Sequence, residues 1–344
     1  MSATPAAAID LHGAPPPLSE AEAADFQAAA TRITDAVETF MQGKAEVVRL
    51  ALTCLLAEGH LLLEDVPGVG KTSLARCLAG ALGAPWQRIQ FTPDLLPGDV
   101  TGVSVFHQDS STFVFHPGPI FANVVLADEI NRTSPKTQSA LLEAMQEFEV
   151  TYAGTTYALE RPFFILATQN PIEQAGTFPL PEAQLDRFLL YIKIGYPSAD
   201  EERAVLEATT GMKHSSIQKV IDGKRILEAQ ALVREVHINA DLVAWVNYLV
   251  RSSRPGPNAD KMVGDFVRWG AGPRAGQAMI LTAKAKALLA GRFSVTPDDL
   301  NSMALPVLRH RILMNFKAEA EGITADDVTR HLLQKLSSTV LKTR

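Results

Sequence analysis

Cysteine is scarce in this sequence. The 344 residues include two cysteines, Cys54 and Cys77, which lie in apolar helical stretches and lack the CxxC spacing of zinc sites and redox pairs. Free cysteine is among the residues most often found in protein interiors. We therefore expect two buried thiols, as in a protein of the reducing cytosol, rather than a disulfide or a metal pair.

Strong charge and long apolar runs are also missing. The formal net charge is −6, and no long basic run suggests bulk attraction to nucleic acid or to an anionic membrane. No apolar run reaches the roughly 18 residues of a membrane-spanning helix. The start of the chain, residues 1–20, lacks the basic and apolar parts of a signal peptide and reads as a disordered segment. We expect a cytoplasmic protein without stable membrane insertion.

Short, fully apolar runs indicate a buried sheet. Hydrophobic residues make up 47% of the chain and charged residues 20%, the balance of a globular protein with room for about two domains. Helical segments separate several of the runs, and this alternation is typical of a parallel sheet covered on both faces. The predicted strands of this α/β domain, which we place at residues 21–197, are 60–65, 86–91, 124–128, 163–168 and 189–194.

Two hairpins and a helical domain complete the predicted architecture. Residues 102–116 alternate apolar and polar side chains around a polar turn, and residues 148–161 do the same around Ala153-Gly154, as hairpins would. The strand signal fades after residue 197, so residues 198–344 are predicted to form an α-helical domain. Its expected helices are 199–208, 225–236, 240–252, 275–290 and 297–316.

The stretch PGVGKT lies directly between a predicted buried strand and a helix. Its glycines let backbone N–H groups face phosphates, and a helix N-terminus favours negative charge. Lys71 would reach the β- and γ-phosphates, and the hydroxyl of Thr72 would ligate Mg²⁺. Asp65 replaces the first glycine of the full pattern GxxxxGK[ST], at the position farthest from the lysine, where we expect tolerance. The predicted nucleotide-binding residues here are Pro67, Gly68, Val69, Gly70, Lys71, Thr72 and Ser73.

Polar side chains follow two of the other predicted strands. Asp128 and Glu129 end the apolar run VVLADE, and Asn170 follows FFILAT. Asp128 would hold the Mg²⁺ shell, while Glu129 would orient and polarise an attacking water. Asn170 could hydrogen-bond the γ-phosphate or the water. Each has a simpler reading by itself, since an acidic pair often caps a helix and Asn170 precedes a proline as turn residues do.

Five motifs, in order along the chain, together resemble the MoxR family of AAA+ ATPases over roughly residues 35–320. They are PGVGKT, ADEINR, ATQNP, GTFPLPEAQLDRF and GAGPRA. The resemblance implies a five-stranded parallel sheet in the order 5-1-4-3-2, followed by an α-helical lid domain. It also implies insertions in helix 2 and before sensor 1, which the two predicted hairpins fit.

The same resemblance assigns roles to residues that patterns alone leave open. It makes the glycines, Lys71 and Thr72 the Walker A motif, and it makes Asp128 and Glu129 the Walker B motif. Asn170 becomes sensor 1. Arg187, which by itself reads as a surface ion-pair residue, becomes an arginine finger offered to a neighbouring subunit. Arg274 becomes sensor 2, acting on its own site or on the adjacent one.

The function that the resemblance implies is Mg²⁺-dependent ATP hydrolysis by a homo-oligomeric ring, most simply a hexamer. Hydrolysis would remodel or mature client proteins, including by metal-cofactor insertion, with a separate partner that carries a von Willebrand factor A domain. We weigh three alternatives: a nucleotide-dependent scaffold with little turnover, a DNA-directed or transcription-related motor, and a small-molecule kinase. A catalytic glutamate argues against the first. Against the second, the sequence shows no basic stripe and no further DNA-binding domain. Against the third, a small-molecule kinase would not need sensor and finger residues.

Several other polar and aromatic residues receive plain interpretations. His107 and His116 have no metal-ligand spacing, so we expect solvated or packing histidines. Arg132 is expected to be an interface or salt-bridge residue, and Arg309-His310-Arg311 a solvated helix face. For the hairpin aromatics, strand packing is favoured over exposure to a central pore; these are Phe106, Phe113 and Phe115.

Overall fold

The structure, a computed structural model, describes residues 20–38, 44–65, 71–109, 111–169, 176–196, 198–210 and 218–340. In chain order the strands are β1 Leu61–Asp65, β2 Trp86–Gln90, β3 Gly102–His107, β4 Thr112–Pro117, β5 Val124–Asp128, β6 Glu149–Tyr152, β7 Thr155–Ala158, β8 Phe164–Gln169, β9 Leu190–Ile194, β10 Val267–Trp269 and β11 Leu313–Met314.

The helices alternate with these strands in the first half of the chain and dominate the second half. They are α1 Glu20–Glu38, α2 Ala45–Leu56, α3 Lys71–Leu82, α4 Pro97–Thr101, α5 Pro135–Glu147, α6 Glu182–Leu185, α7 Ala199–Thr210, α8 Gly223–Glu235, α9 Ala240–Ser252, α10 Lys261–Phe266, α11 Pro273–Leu289, α12 Pro297–Leu308, α13 Phe316–Glu321 and α14 Ala325–Val340, with a 3-10 helix at Ile130–Arg132.

The central sheet has five strands in the order β2-β5-β8-β1-β9, and every neighbouring pair is parallel. Counted along the chain among these five, the order is 5-1-4-3-2, so the predicted fold class is confirmed. The predicted strand runs match the observed strands to within one residue at each end. Short apolar runs predict these strands well because strands covered on both faces are apolar throughout.

Alternate residues of each central strand enter opposite layers of the core. Leu61 and Leu63 of β1 pack on the face that is covered by α1, α2, α3 and the helices of the C-terminal half. Leu62, between them, packs on the other face with α5 and the loop residues before β5. This period of two follows from the pleat of a strand. Because every neighbouring pair of strands is parallel, the carboxyl ends of all five lie along one edge of the sheet.

Both predicted hairpins are present. β3 pairs with β4 and β6 pairs with β7, each antiparallel, and the two hairpins touch through Phe115, whose ring stacks on Tyr157 at 4.1 Å between centroids. Phe115 therefore packs as expected. Phe106 and Phe113 instead stay on the surface, paired with each other at 5.2 Å, and Phe113 is 72% exposed.

The second half of the chain departs from the prediction in several places, since α10, α14 and the strands β10 and β11 were not expected and one expected helix is shorter. The helix expected at 297–316 ends at Leu308, and a turn, the short strand β11 and α13 follow it. The turn contains His310 and Arg311, which are buried, so the expectation of a solvated helix face over Arg309-His310-Arg311 is wrong. The physical reason is that both side chains bond backbone carbonyls of the α/β half, including Phe188 O.

The two thiols are buried, as the sequence indicates. Burial raises the pKa of Cys77 to about 11 and raises that of Cys54 as well, so both remain protonated and unreactive near neutral pH. Among the helices of the described ranges, none combines the length and the apolar character that crossing a bilayer requires.

Candidate functional site

The candidate site lies along the edge where the parallel strands end. β1, β8 and β5 are neighbours in the sheet, with Leu62 level with Ala167 and Ala167 level with Ala127. Ligands bind to open α/β sheets at this carboxyl edge. Five predicted site residues, Pro67, Gly68, Val69, Gly70 and Asn170, lie outside the described residues, so the site is built here from the others.

The first turn of α3 supplies the remaining residues of the predicted phosphate-binding loop. Lys71, Thr72 and Ser73 begin this helix a few residues after β1 ends, and all three are partly buried. The unpaired N–H groups at a helix start attract anions. The Lys71 ammonium and the Thr72 hydroxyl therefore stand at the end of the helix that suits a phosphate group.

Asp128 ends the central strand β5, and its side chain is 8% exposed. The hydroxyl of Thr168, on the neighbouring strand β8, donates to Oδ1 at 2.7 Å. Arg88, on the other neighbour β2, donates to Oδ2 through Nε at 3.1 Å and through Nη2 at 2.6 Å. A buried carboxylate needs such partners, since an unpaired one costs several kcal/mol. Its place and chemistry suit it to a Mg²⁺ shell.

Glu129 follows in an unusual backbone conformation, with φ 58° and ψ 49°. This left-handed region costs a non-glycine residue about 1–2 kcal/mol and occurs often at functional sites. The Glu129 N–H donates to Thr168 Oγ1 at 2.8 Å, which holds the turn in place. The carboxylate accepts from Gln90 Nε2 at 2.9 Å and pairs with Arg132 at 3.2 Å. It is thus held beside Asp128 while part of it faces solvent.

A second cluster joins the arginine predicted as a finger to the C-terminal helices. Arg187 follows α6 and donates to Leu142 O on α5 at 2.7 Å. Its neighbour Asp186 accepts from the buried Arg311 at 2.7 Å and from Arg274, at the start of α11, at 3.4 Å. The structure therefore places Arg274 against the carboxylate of the residue that directly precedes Arg187. Among the described contacts, this cluster is separate from the one around Asp128 and Glu129.

Comparison with known proteins identifies the family. The model of the ATPase family associated with various cellular activities (AAA) matches residues 60–190, and an AAA lid domain matches residues 259–332. The chain is 39% identical over 337 residues to Chaperone MoxR1 of Mycobacterium tuberculosis, covering 98% of this chain and 88% of that protein. It belongs to the MoxR family of AAA+ ATPases.

Two further relatives match most of the chain. The uncharacterized protein YeaC of Bacillus subtilis is 46% identical over 298 residues, which cover 86% of this chain and 91% of that protein. The crystal structure of a protein from Cytophaga hutchinsonii assigned as an ATPase superposes with a TM-score of 0.87 at 38% identity, covering 92% of this chain and 96% of that one. The resemblance drawn from five motifs is confirmed.

The oxygen donors of this MoxR protein fit a magnesium ion. Mg²⁺ binds through one or two carboxylates together with phosphates and water, and it prefers hard oxygen ligands. Thr72 and Asp128 offer a hydroxyl and a carboxylate from elements that end at the same edge of the sheet. The described residues hold no group of three or more His, Cys, Asp or Glu side chains of the kind that binds a metal by protein ligands alone.

Four contacting residues of the site were missed at the level of sequence. Thr168 lies within a quoted motif but reads as one more strand residue. Arg88 and Gln90 alternate along the edge strand β2, so they share a face, and this spacing is a signal that could have been used. Asp186 directly precedes Arg187. None of these patterns names the partner, because the partners come from other strands and helices.

The two histidines of the first hairpin are solvent-exposed, as the sequence predicts. His107 and His116 are exposed, and their rings stack at 5.7 Å with 3.4 Å between the two Nε2 atoms. Arg132 forms the expected salt bridge, and its partner is Glu129.

Proposed function

We propose that this MoxR protein hydrolyses ATP with Mg²⁺ and uses the energy to remodel or mature client proteins. The observation that carries the proposal is the joint support of Asp128 and Glu129 by Thr168 at the edge of the sheet where α3 begins. A buried carboxylate that can hold the metal shell and a second one that can orient the attacking water suit the needs of phosphoryl transfer.

The position and charge of each residue suggest its role in the reaction. Lys71 and Arg274 would bind the phosphates, and Thr72 and Asp128 would hold the metal shell. Glu129 would accept a hydrogen bond from the attacking water and draw its proton, while Asn170 would orient the water or the γ-phosphate. Bound Mg²⁺ supplies neutralisation of the phosphate charge. Glu129 suits its role because its strained backbone and its ion pair with Arg132 hold it beside Asp128.

The active assembly in this proposal is a homo-oligomeric ring, most simply a hexamer, with the nucleotide between subunits. Among the described contacts Arg187 bonds Leu142 O on α5 and makes none with Asp128 or Glu129 of its own chain, which supports a role at a neighbour's site. A guanidinium arriving from another subunit would neutralise the developing charge on the phosphates. Arg274 shares Asp186 with this region, so whether it serves its own site or the next one depends on how the ring closes.

The proposed clients are proteins that need maturation, such as enzymes awaiting a metal cofactor. One supporting fact is that a relative is named Chaperone MoxR1. A separate protein with a von Willebrand factor A domain is the proposed partner. The intact catalytic glutamate argues against the alternative of a scaffold with little turnover.

The Glu129→Gln variant tests hydrolysis. It keeps the shape of the side chain and its contact with Arg132 but removes the base, so phosphate release should fall about 10²- to 10⁴-fold while ATP binding is retained. Phosphate release, binding of a fluorescent ATP analogue, and mass by light scattering with ATP are measured on the same samples. We expect the variant with ATP to have the mass of a ring.

The matched control is Glu143→Gln, the same change at an exposed position of α5, which should behave like the unaltered protein. Wild-type turnover by Glu129→Gln would overturn the assigned mechanism. If the unaltered protein released no phosphate from ATP, the proposed function itself would be overturned. Affinity capture with Glu129→Gln in ATP then tests the partner: a protein with a von Willebrand factor A domain supports maturation, whereas nucleic acid favours a DNA-directed motor.

A further inference from the structure

Two side chains on the edge strand β2 link the carboxylates of the site. Arg88 Nη2 lies 2.6 Å from Asp128 Oδ2 and also 2.6 Å from Gln90 Oε1. Gln90 Nε2 in turn donates to Glu129 Oε2 at 2.9 Å. The result is a continuous chain of hydrogen bonds from Asp128 through Arg88 and Gln90 to Glu129.

The direction of this chain is set by Arg88. A guanidinium donates hydrogen bonds and never accepts them, so the Gln90 oxygen must face Arg88. The Gln90 amide nitrogen is thereby turned toward Glu129, to which it donates. If Arg88 moved away, the Gln90 amide would lose the contact that orients it, and Glu129 would lose a defined donor.

The two partners of the ion pair differ in their exposure to water. The Asp128 side chain is 8% exposed and that of Arg88 is 46% exposed. Arg88 can therefore swing into solvent at little cost, because water solvates the released guanidinium. Asp128 cannot follow it, and a buried carboxylate left without a cation is strongly unfavourable. Any departure of Arg88 needs another cation to take its place.

Magnesium and Arg88 would compete for the same carboxylate. Thr168 occupies Oδ1, and Arg88 donates twice to Oδ2. A divalent cation shell at Asp128 would need these oxygens and would also repel the positive guanidinium beside it. Competition for the oxygens and charge repulsion act in the same direction. Arg88 weakens metal binding at Asp128, and a bound metal weakens the contact between Asp128 and Arg88.

We propose that Arg88 is a positioning residue that acts as an internal counter-ion of Asp128, so that Mg²⁺ entry displaces it and, through Gln90, removes one of the two contacts that hold the Glu129 carboxylate. The inference rests on the proposed function, because it concerns the metal of the same site. It couples metal loading to the contacts of the base, since Glu129 then keeps its ion pair with Arg132 but loses the donor from β2.

A purely structural ion pair makes a different prediction. If Arg88 only stabilised the fold, its loss would lower the melting temperature by the same amount with and without bound metal and nucleotide. If Arg88 is instead a counter-ion that the metal replaces, its loss lowers the melting temperature mainly when no metal is bound. The increase in melting temperature that magnesium and ADP produce in the Arg88 variant therefore distinguishes the two hypotheses.

The experiment compares Arg88→Gln with the unaltered protein in two measurements. The first is the affinity for a fluorescent ADP analogue in EDTA and across a series of MgCl₂ concentrations. The second is the melting temperature with EDTA alone and with MgCl₂ plus ADP. Arg88→Lys is a partial replacement, since it keeps the charge but cannot bridge Asp128 and Gln90 as a forked guanidinium does. Arg132→Gln is the matched control, because it removes the same charge from a neighbour of Glu129 instead of Asp128.

In Arg88→Gln the MgCl₂ concentration needed for half-maximal tightening of ADP should fall ~3- to 10-fold, as expected for removing one positive charge at a partly screened site. Its melting temperature should drop in EDTA, and the increment with MgCl₂ and ADP should exceed that of the unaltered protein. Arg88→Lys should lie between the two. Arg132→Gln should change the MgCl₂ requirement less than Arg88→Gln does.

An unchanged or higher MgCl₂ requirement in Arg88→Gln overturns the inference while leaving the proposed function intact, provided that the unaltered protein binds the analogue and releases phosphate. An equal shift in Arg132→Gln also overturns it, since the effect would then be general electrostatics. If the unaltered protein neither binds ADP nor hydrolyses ATP, the proposed function fails and the inference fails with it.

Discussion

Thr168 shows how much one side chain decides at the site. It is fully buried on β8, and its hydroxyl both donates to Asp128 and accepts from the Glu129 backbone. The donated bond orients one carboxylate, and the accepted bond holds the strained turn that aims the other. A single hydroxyl thus sets the positions of two carboxylates, so its loss should affect turnover more than nucleotide binding.

The Thr168→Val variant tests this role. The change keeps the shape and leaves two buried polar groups without a partner, so the free energy of unfolding should fall by about 1–3 kcal/mol. Because catalysis is sensitive to small displacements, turnover should drop roughly 10- to 100-fold with a smaller effect on ATP affinity. Urea denaturation and steady-state kinetics measure the two effects. Thr168→Ser restores the hydroxyl and should recover most of the turnover; equal losses in Ser and Val would contradict the role.

At the scale of elements, the turn after α12 connects the two halves of the chain. Arg311 lies in this turn and donates to Asp186 beside Arg187, as well as to the carbonyls of Phe188 and Leu189 before β9. The guanidinium is almost fully enclosed, and nearly all of its donors are used. This contact positions the loop of the proposed finger relative to the helical half, which explains why the helix predicted to reach residue 316 stops at Leu308.

Arg311→Met should therefore be one of the most destabilising changes on the surface between the two halves. Removing Arg311 takes from Asp186 the nearer of its two guanidinium donors and also removes a donor from Leu189 O. Breaking a buried pair costs about 3–5 kcal/mol, and the partial exposure of Asp186 places this loss at the lower end of that range. The midpoint of urea unfolding gives the measurement. Arg330→Met, at an exposed ion pair on α14, is the control and should change stability by less than about 0.5 kcal/mol. Comparable effects of the two changes would refute the assigned role of Arg311.

At the scale of the whole molecule, buried histidines make stability depend on pH. Burial lowers the pKa of His60 to about 4, although a bond to Met145 O opposes the shift. Its Nδ1 accepts from the Ile165 N–H, so protonation would destroy that bond. Burial and the neighbouring charge of Arg311 hold the pKa of His310 well below its usual value too. Both rings are therefore neutral in the folded protein at pH 7.

The sign of the effect follows from which state binds more protons. Between pH 6.5, the ordinary pKa of histidine, and about 4, the unfolded chain takes up protons that folded His60 does not. Stability is thus fully present above pH 6.5 and decreases as the pH falls, by up to about 1.4 kcal/mol per pH unit for each such histidine. Urea unfolding at pH 8.0, 6.5 and 5.0 should show it. His107→Gln, at an exposed histidine, should leave the slope unchanged; equal stability at all three pH values would disprove the prediction.

The sequence alone predicts those parts of the fold whose signal is local. β5 and β8, in the interior of the sheet, are buried on both faces, so four residues in a row are apolar and each strand is visible in any short window. The turn at Ala153-Gly154 is equally local, since both residues take positive φ and glycine makes that inexpensive. β10 and β11 were missed because they are two or three residues long and pair across a long separation.

What the sequence by itself determined is the set of chemical groups and the family: a phosphate-binding loop, two carboxylates after a strand, and arginines in recognisable motifs. What only the tertiary structure decided is how those groups are paired. Arg88 and Thr168 each lie 40 residues from Asp128 along the chain, yet both contact it because β2 and β8 flank β5 in the sheet. The physical reason is that burial patterns depend on neighbours along the chain, whereas the partner of a charge depends on which strands the fold brings side by side.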